Sequence, residues 1–289
     1  MLKTIITFMG FVALTCFAFD AVAAGQPVEW GMGFQDAASP TKVRMEEFHN
    51  MLLYVIFGIA IFVLLLLIYV ALRFNSKVNP EPSQVTHNVA LEIAWTIIPV
   101  IVLLVIAVPS FKLLYYADRI ENPDMTIKVT GYQWYWGYQY PDHGDIEFSS
   151  YMVSDEDIDP SKGQVRLLST DNPVVVPVEK NIQVILTAGD VLHSWAVPAL
   201  GVKQDTVPGK LTETWFRITK PGVYFGQCSE LCGKDHAYMP IEIHAVSEEE
   251  FATWVQENGG SMPEVETAMS AEETNDNQES LNTNEEGEE

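Results

Sequence analysis

The stretch Gly222-Val-Tyr-Phe-Gly226-Gln-Cys228-Ser-Glu-Leu-Cys232-Gly-Lys-Asp-His236-Ala-Tyr-Met239-Pro240-Ile241-Glu-Ile-His-Ala-Val246 decides how the C-terminal part of the chain is read. Gly222–Gly226 and Ile241–Val246 are short runs of β-branched and aromatic residues and read as strands. The loop between them carries two thiols, an imidazole and a thioether in the order C-x3-C-x3-H-x2-M. Thiolate and thioether are soft ligands and imidazole is borderline, a mixture that suits copper, above all where Cu(I) must be held. A disulfide across so small a loop is natural in an exported protein, but it gives His236 and Met239 no role. Zinc takes Cys2His2 sets and does not usually recruit methionine. A blue-copper site takes one Cys, two His and a weak axial Met. Here one cysteine is left over, and two thiolates bridging two coppers are the natural solution. His193, in Asp190-Val-Leu-His-Ser-Trp195, lies 35 residues before Cys228. From spacing alone it reads equally as a satisfied core histidine and as a ligand brought in by a neighbouring strand.

Working outward, the same pattern of short strands punctuated by Gly, Pro, Asn and Asp recurs at Met125–Thr130, Gln164–Ser169, Pro173–Val178, Asn181–Thr187 and Glu213–Ile218. Ile182, Val184 and Leu186 alternate onto one face. The whole predicts an all-β sandwich or barrel of about 120–130 residues. Ser247-Glu-Glu-Glu250 fits a capping box and starts a short helix through Trp254.

Upstream the composition changes. Met51–Leu72 is a charge-free run of 22 residues and Ile93–Phe111 one of 19, each long enough to cross a bilayer as a helix. Pro99 and Pro109 predict kinks in the second. The link from Arg73 to Ala90 is weakly positive, as cytoplasmic links are, which puts the β domain outside. Residues 1–24 read as a secretory signal: Lys3, then an apolar run, then Ala21-Val22-Ala23. That leaves Cys228 and Cys232 as the only thiols of the mature chain. The formal charge of −23 makes a nucleic-acid partner unexpected, and from Glu257 onward there are 11 carboxylates with no Lys or Arg. Such a tail buries too little apolar surface to fold.

Other groups stand out. Tyr132-Gln-Trp134-Tyr-Trp136-Gly-Tyr138-Gln-Tyr140 is dense in rings, and Trp136 reads as core. Asp142 and Asp145 follow this run, while Asp190 and Asp205 lie in other segments. Acidic surface of this kind steers a basic partner. Glu92 sits at the mouth of the second span, where an ionisable group is a functional candidate.

Taken together, Leu91-Glu-Ile-Ala-Trp-Thr-Ile-Ile-Pro99, Gly131-Tyr-Gln-Trp-Tyr-Trp136, Val191-Leu-His-Ser-Trp-Ala-Val-Pro198, Pro208-Gly209 and Gly226-Gln-Cys-Ser-Glu-Leu-Cys-Gly233 resemble subunit II of the haem–copper cytochrome c oxidases. The resemblance covers roughly residues 45–255. It implies a membrane-anchored fold: a hairpin of two transmembrane helices followed by a cupredoxin-like Greek-key β domain. It implies a binuclear copper A centre in which Cys228 and Cys232 bridge two coppers and His193 and His236 bind one each. Met239 and the Glu230 carbonyl are then weak ligands, and the Glu230 carboxylate helps bind magnesium at subunit I. The resemblance further implies that Trp134 receives electrons from cytochrome c and that Glu92 marks a proton-uptake entrance. Asp142, Asp145, Asp190 and Asp205 become docking acids. Oxygen reduction and proton pumping belong to subunit I, which holds the haems and a further copper. The expected organisation is 1–24 signal, 25–48 external segment, 49–116 transmembrane hairpin, 117–256 copper domain and 257–289 acidic tail. The expected location is a bacterial inner membrane with the β domain in the periplasm. Two rivals are a quinol oxidase subunit II, which lacks copper, and a membrane-anchored copper-delivery protein, in which Trp134 and Glu92 have no role.

Overall fold

The computed structural model describes residues 25–118 and 122–263. The signal segment and most of the acidic tail lie outside the described residues.

Two long helices come first. Helix α1, Pro40–Arg73, has Ser39 as its N-cap: the hydroxyl accepts from Lys42 N at 3.0 Å, and Pro40 opens the first turn. At the other end the Asn75 amide donates to the Leu72 carbonyl at 2.8 Å. Helix α2, Val89–Asp118, begins where Asn88 Oδ1 accepts from Leu91 N at 3.2 Å, and Glu92 sits favourably in its first turn. Both helices are long and apolar enough to span a membrane. At 1.5 Å per residue they are about 51 and 45 Å long, against about 30 Å of hydrocarbon.

Part of the surplus lies at the N-terminal end of α1, before Met51. Lys42, Arg44, Glu46 and Glu47 do not interrupt the helix; they form its polar first turns. These turns stand on the β domain. Ser39 Oγ donates to the Leu200 carbonyl at 2.6 Å, Ala38 N donates to the Ala199 carbonyl at 3.0 Å, and buried Lys42 lies 3.8 Å from the centre of the Phe34 ring. Helix α2 is tied down too, as Trp215 Nε1 donates to the Tyr116 carbonyl at 2.9 Å.

The β domain is two five-stranded sheets packed face to face. With β1 Met125–Tyr132, β2 Tyr135–Tyr140, β3 Ile146–Ser150, β5 Ile182–Ala188 and β8 Thr212–Phe216, the first sheet runs β3-β2-β1-β5-β8. With β4 Val174–Pro177, β6 His193–Val197, β7 Val202–Thr206, β9 Gly222–Cys228 and β10 Pro240–Val246, the second runs β4-β10-β9-β6-β7. The β1–β5 and β4–β10 pairs are parallel; the rest are antiparallel. As the alternation predicts, Ile182, Val184 and Leu186 point inward. They meet Trp136, Tyr138, Trp195 and Phe216 in one core. The ring polar atoms of this core are paired. Trp195 Nε1 donates to Tyr138 Oη at 3.2 Å, and the Tyr140 hydroxyl donates to the Val175 carbonyl at 3.0 Å and accepts from its amide at 3.1 Å. Burial pushes both phenols well above their usual range.

The capping box at Ser247 and Glu250 is formed, and it starts helix α3, Glu248–Glu257, which buries Phe251 and Val255. The expected strand Gln164–Ser169 is instead a pair of turns. Ser169 N bonds to the Val165 carbonyl at 2.9 Å, Ser169 Oγ accepts from Val165 N, and Leu167 takes a left-handed backbone. Short-range bonds satisfy this segment before any neighbour strand reaches it.

Gly226 marks the tightest approach in the second sheet, since a Cβ there would overlap the Ala196 carbonyl on β6. Gly226→Ala therefore forces β9 away from β6. Overpacking of this kind costs about 1–3 kcal/mol, visible as a lowered midpoint in thermal unfolding of the full chain.

Candidate metal centre

Strand pairing delivers the ligands. His193 is the first residue of β6 and Cys228 the last of β9. The antiparallel β6–β9 register sets Trp195 opposite Cys228, and Ser229 N donates to the Ser194 carbonyl at 2.9 Å. On the other side β9 pairs with β10, and Cys228 N donates to the Met239 carbonyl at 3.3 Å. The ten residues between Cys228 and Met239 are therefore pinned at both ends into a closed loop.

Inside that loop the donors converge. Cys228 Sγ and Cys232 Sγ are 3.9 Å apart, both free and both buried. A disulfide needs about 2.05 Å, so the bridge that spacing allowed is not formed. Cys228 Sγ lies 3.9 Å from His193 Nδ1 and 3.3 Å from the Glu230 carbonyl. Cys232 Sγ lies 3.4 Å from His236 Nδ1 and 3.6 Å from Met239 Sδ. His193, Cys228 and Cys232 alone present ligand atoms within 4.8 Å of one another, enough to hold a metal ion. His193 is buried, with its Nδ1 facing the Cys228 thiol. Soft sulfur with imidazole fits copper.

The electrostatics are those of ligands in waiting. Burial works to raise the Cys228 thiol, but hydrogen bonds from His193 and the loop backbone outweigh it and bring the thiol down to about 7. Burial and the adjacent sulfur push Cys232 up to about 12. A metal ion binds thiolate rather than thiol, so binding here would release protons. Burial works to lower His193, yet Cys228 and Asp190 together raise it.

A surrounding shell fixes these groups. Asp190 Oδ1 lies 2.9 Å from His193 Nε2, orienting the ring with Nδ1 toward the sulfurs. The other Asp190 oxygen accepts from Gln133 N at 2.7 Å. Gln133 Nε2 and Trp134 Nε1 both donate to the Cys232 carbonyl, at 2.8 and 3.2 Å. Trp136 Nε1 donates to the Met239 carbonyl at 3.2 Å, and its ring meets His193 edge-on. Gly131 is small enough for β1 to pass; a Cβ there would lie 2.9 Å from the His193 ring. The Trp136 reading as core is correct but incomplete, since its indole N–H also braces the loop. Gln133 was not singled out from sequence, although its place between Tyr132 and Trp134 was the available signal.

The other candidates separate. Trp134 is half-buried against the metal loop. Asp190 and Asp205 flank β6; Asp205 pairs opposite Ser194 and lies 3.0 Å from Lys203. Asp142 and Asp145 follow the end of β2 opposite Trp134. The six residues of β2, about 20 Å at 3.3 Å per residue, run between Trp134 and the turn that carries Asp142. There Asp142 accepts from Thr126 N at 2.6 Å, at the start of β1. Glu92 lies at the end of α2 remote from the β domain.

Known proteins share this layout. The family profile described as "Cytochrome C oxidase subunit II, periplasmic domain" matches residues 125–246, and "Cytochrome C oxidase subunit II, transmembrane domain" matches 27–113. A probable cytochrome c oxidase subunit 2 from Rickettsia bellii is 51% identical over 88% of this chain and 92% of its own length. Cytochrome c oxidase subunit 2 from Cereibacter sphaeroides is 45% identical over 86% of each. The crystal structure of the periplasmic domain of subunit II of cytochrome oxidase from Bradyrhizobium japonicum is 53% identical, covering 49% of this chain and 97% of that one, at a TM-score of 0.45. With two spanning helices, a β sandwich and a Cys/His centre in the matched order, the chain belongs to the cytochrome c oxidase subunit II family.

Proposed function

We propose that this chain takes electrons from cytochrome c at a binuclear copper A centre and passes them to haem in subunit I, where oxygen is reduced to water and protons are pumped. One observation carries this reading. Each thiol has its own imidazole and its own weak donor, His193 and the Glu230 carbonyl beside Cys228, His236 and Met239 beside Cys232. A single copper has no use for this doubled set; two coppers use all of it. Cys228, Cys232, His193, His236, Met239 and the Glu230 carbonyl would hold the two coppers, which would supply one-electron transfer.

The chain's own residues do the rest. Strand pairing and the bonds from Gln133, Trp134 and Trp136 hold the loop rigid, so the ligands are preorganised. Burial keeps water from the sulfurs. Trp134 offers a conjugated ring from the half-open surface to the Cys232 carbonyl, which supports its role in receiving electrons. Asp190 and Asp205, beside the centre, are the better docking acids for a basic cytochrome c; Asp142 and Asp145 belong to the outer field that steers it. The Glu230 carboxylate is assigned to magnesium shared with subunit I, and Glu92 to the proton-uptake entrance at the opposite membrane face. Residues 1–24 direct export. The hairpin then sits in a bacterial inner membrane, with the β domain in the periplasm and the acidic tail beyond 257.

The protein loaded with copper is expected to hold two ions per chain and to show a mixed-valence spectrum; one ion per chain with a blue-copper spectrum would refute the binuclear reading. Asp190→Asn removes the carboxylate that orients His193. Copper retention against a competing chelator should fall by about tenfold or more, the usual effect of losing such a partner. Trp134→Phe should keep both coppers while slowing reduction by cytochrome c in stopped flow; an unchanged rate takes Trp134 off the path.

A further inference from the structure

We propose that the cleft between the β-domain ends of α1 and α2 binds the headgroup of an anionic phospholipid. The cleft has a volume of about 260 Å³ and is lined by Arg44, Glu47, Phe48, Met51, Pro109, Lys112 and Leu113. Its level in the membrane follows from the sequence. Met51 opens the first charge-free run and Lys112 is the first charge after the second. Bilayer phosphates lie just beyond the hydrocarbon, so Arg44 and Lys112 stand at phosphate depth. Phe48, Met51, Pro109 and Leu113 continue downward into the apolar faces of the two helices, the path two acyl chains would take.

The cations are suited to a phosphate. The Arg44 guanidinium carbon lies 3.6 Å from the centre of the Tyr116 ring. Stacking engages the face of the group and directs its N–H edge sideways, where bidentate bonds to phosphate form. Lys112 is exposed on the facing helix and supplies a second, movable charge. Glu47 subtracts one, leaving a net charge of about one that favours an anionic lipid over a zwitterionic one by about fivefold. Basic pockets between spanning helices hold anionic headgroups at cytoplasmic faces, and the same charge attraction operates at this face.

The test uses the full-length chain in phosphatidylcholine nanodiscs doped with phosphatidylglycerol or phosphatidylcholine carrying the same photoreactive acyl chain. Labelled peptides are mapped by mass spectrometry. Labelling at 44–51 and 109–116 should be about fivefold greater with phosphatidylglycerol. Glu47→Gln, an exposed change that spares the fold, should raise the ratio to about twenty-five-fold. The double variant Arg44→Gln/Lys112→Gln should bring it to one or below. Equal labelling by both lipids in the unaltered chain, or ratios that neither variant moves, would overturn the proposal.

Discussion

The pairing of β9 with its two neighbours governs the geometry at the metal end of the domain. An antiparallel register is set in steps of two residues, because a one-residue slip turns every side chain to the opposite face. With Trp195 opposite Cys228, His193 and the first thiol share a face; a slip on either strand would send one of them to the other side. With Pro240 opposite Gln227, the Met239 thioether returns to the same pocket. The core enforces both registers, since Trp195, Tyr224, Ile241 and Ile243 are inward only in this alignment. The candidate metal ligands are therefore held by the hydrophobic core more than by one another.

The first sheet contributes through a different device. The β1–β2 turn leans over the metal loop and donates three side-chain hydrogen bonds to it, from Gln133, Trp134 and Trp136. These bonds end on backbone carbonyls of Cys232 and Met239, so they fix the path of the loop without competing for the sulfur atoms. Glycine allows the approach in two places. Gly131 makes room for the His193 ring, and Gly233, at φ 119°, keeps the loop clear of Gln133 and Trp134. Asp190 closes the arrangement by binding the β1–β2 turn and His193 at once.

Much of this was legible in the sequence, for reasons that can be named. Charge-free runs of bilayer length, the capping box at Ser247 and the alternation of Ile182, Val184 and Leu186 are signals of short range. The ligand loop is equally local. Strand β6 was missed because it is buried along both faces, His193 and Ser194 included, and so shows no alternation. Gln164–Ser169 misled in the opposite sense: its side chains suit a strand, but Ser169 closes a turn. Where Asp142 and Asp145 lie relative to Trp134 is set by the course of β2, which chain distance alone does not give. Gln133 carries no metal-ligand chemistry, and only the fold gives it two partners.

The same logic extends to the junction with the membrane. A soluble domain on two helices needs more than a linker if its metal centre is to keep a fixed height above a partner in the membrane. Here α1 begins on the β domain itself. Ser39 caps the helix and also donates to Leu200, so the cap that starts the spanning element is a bond to the sandwich. Thr219 N and Oγ1 both reach the Ala38 carbonyl, tying in the loop after β8. Trp215 does the same for α2. Burying Lys42 among these contacts carries a desolvation penalty, which Glu46 at 3.8 Å and the Phe34 ring offset. The start of α1 and the last turn of α2 are thus both bonded to the β domain, which sets where the hairpin meets the sandwich.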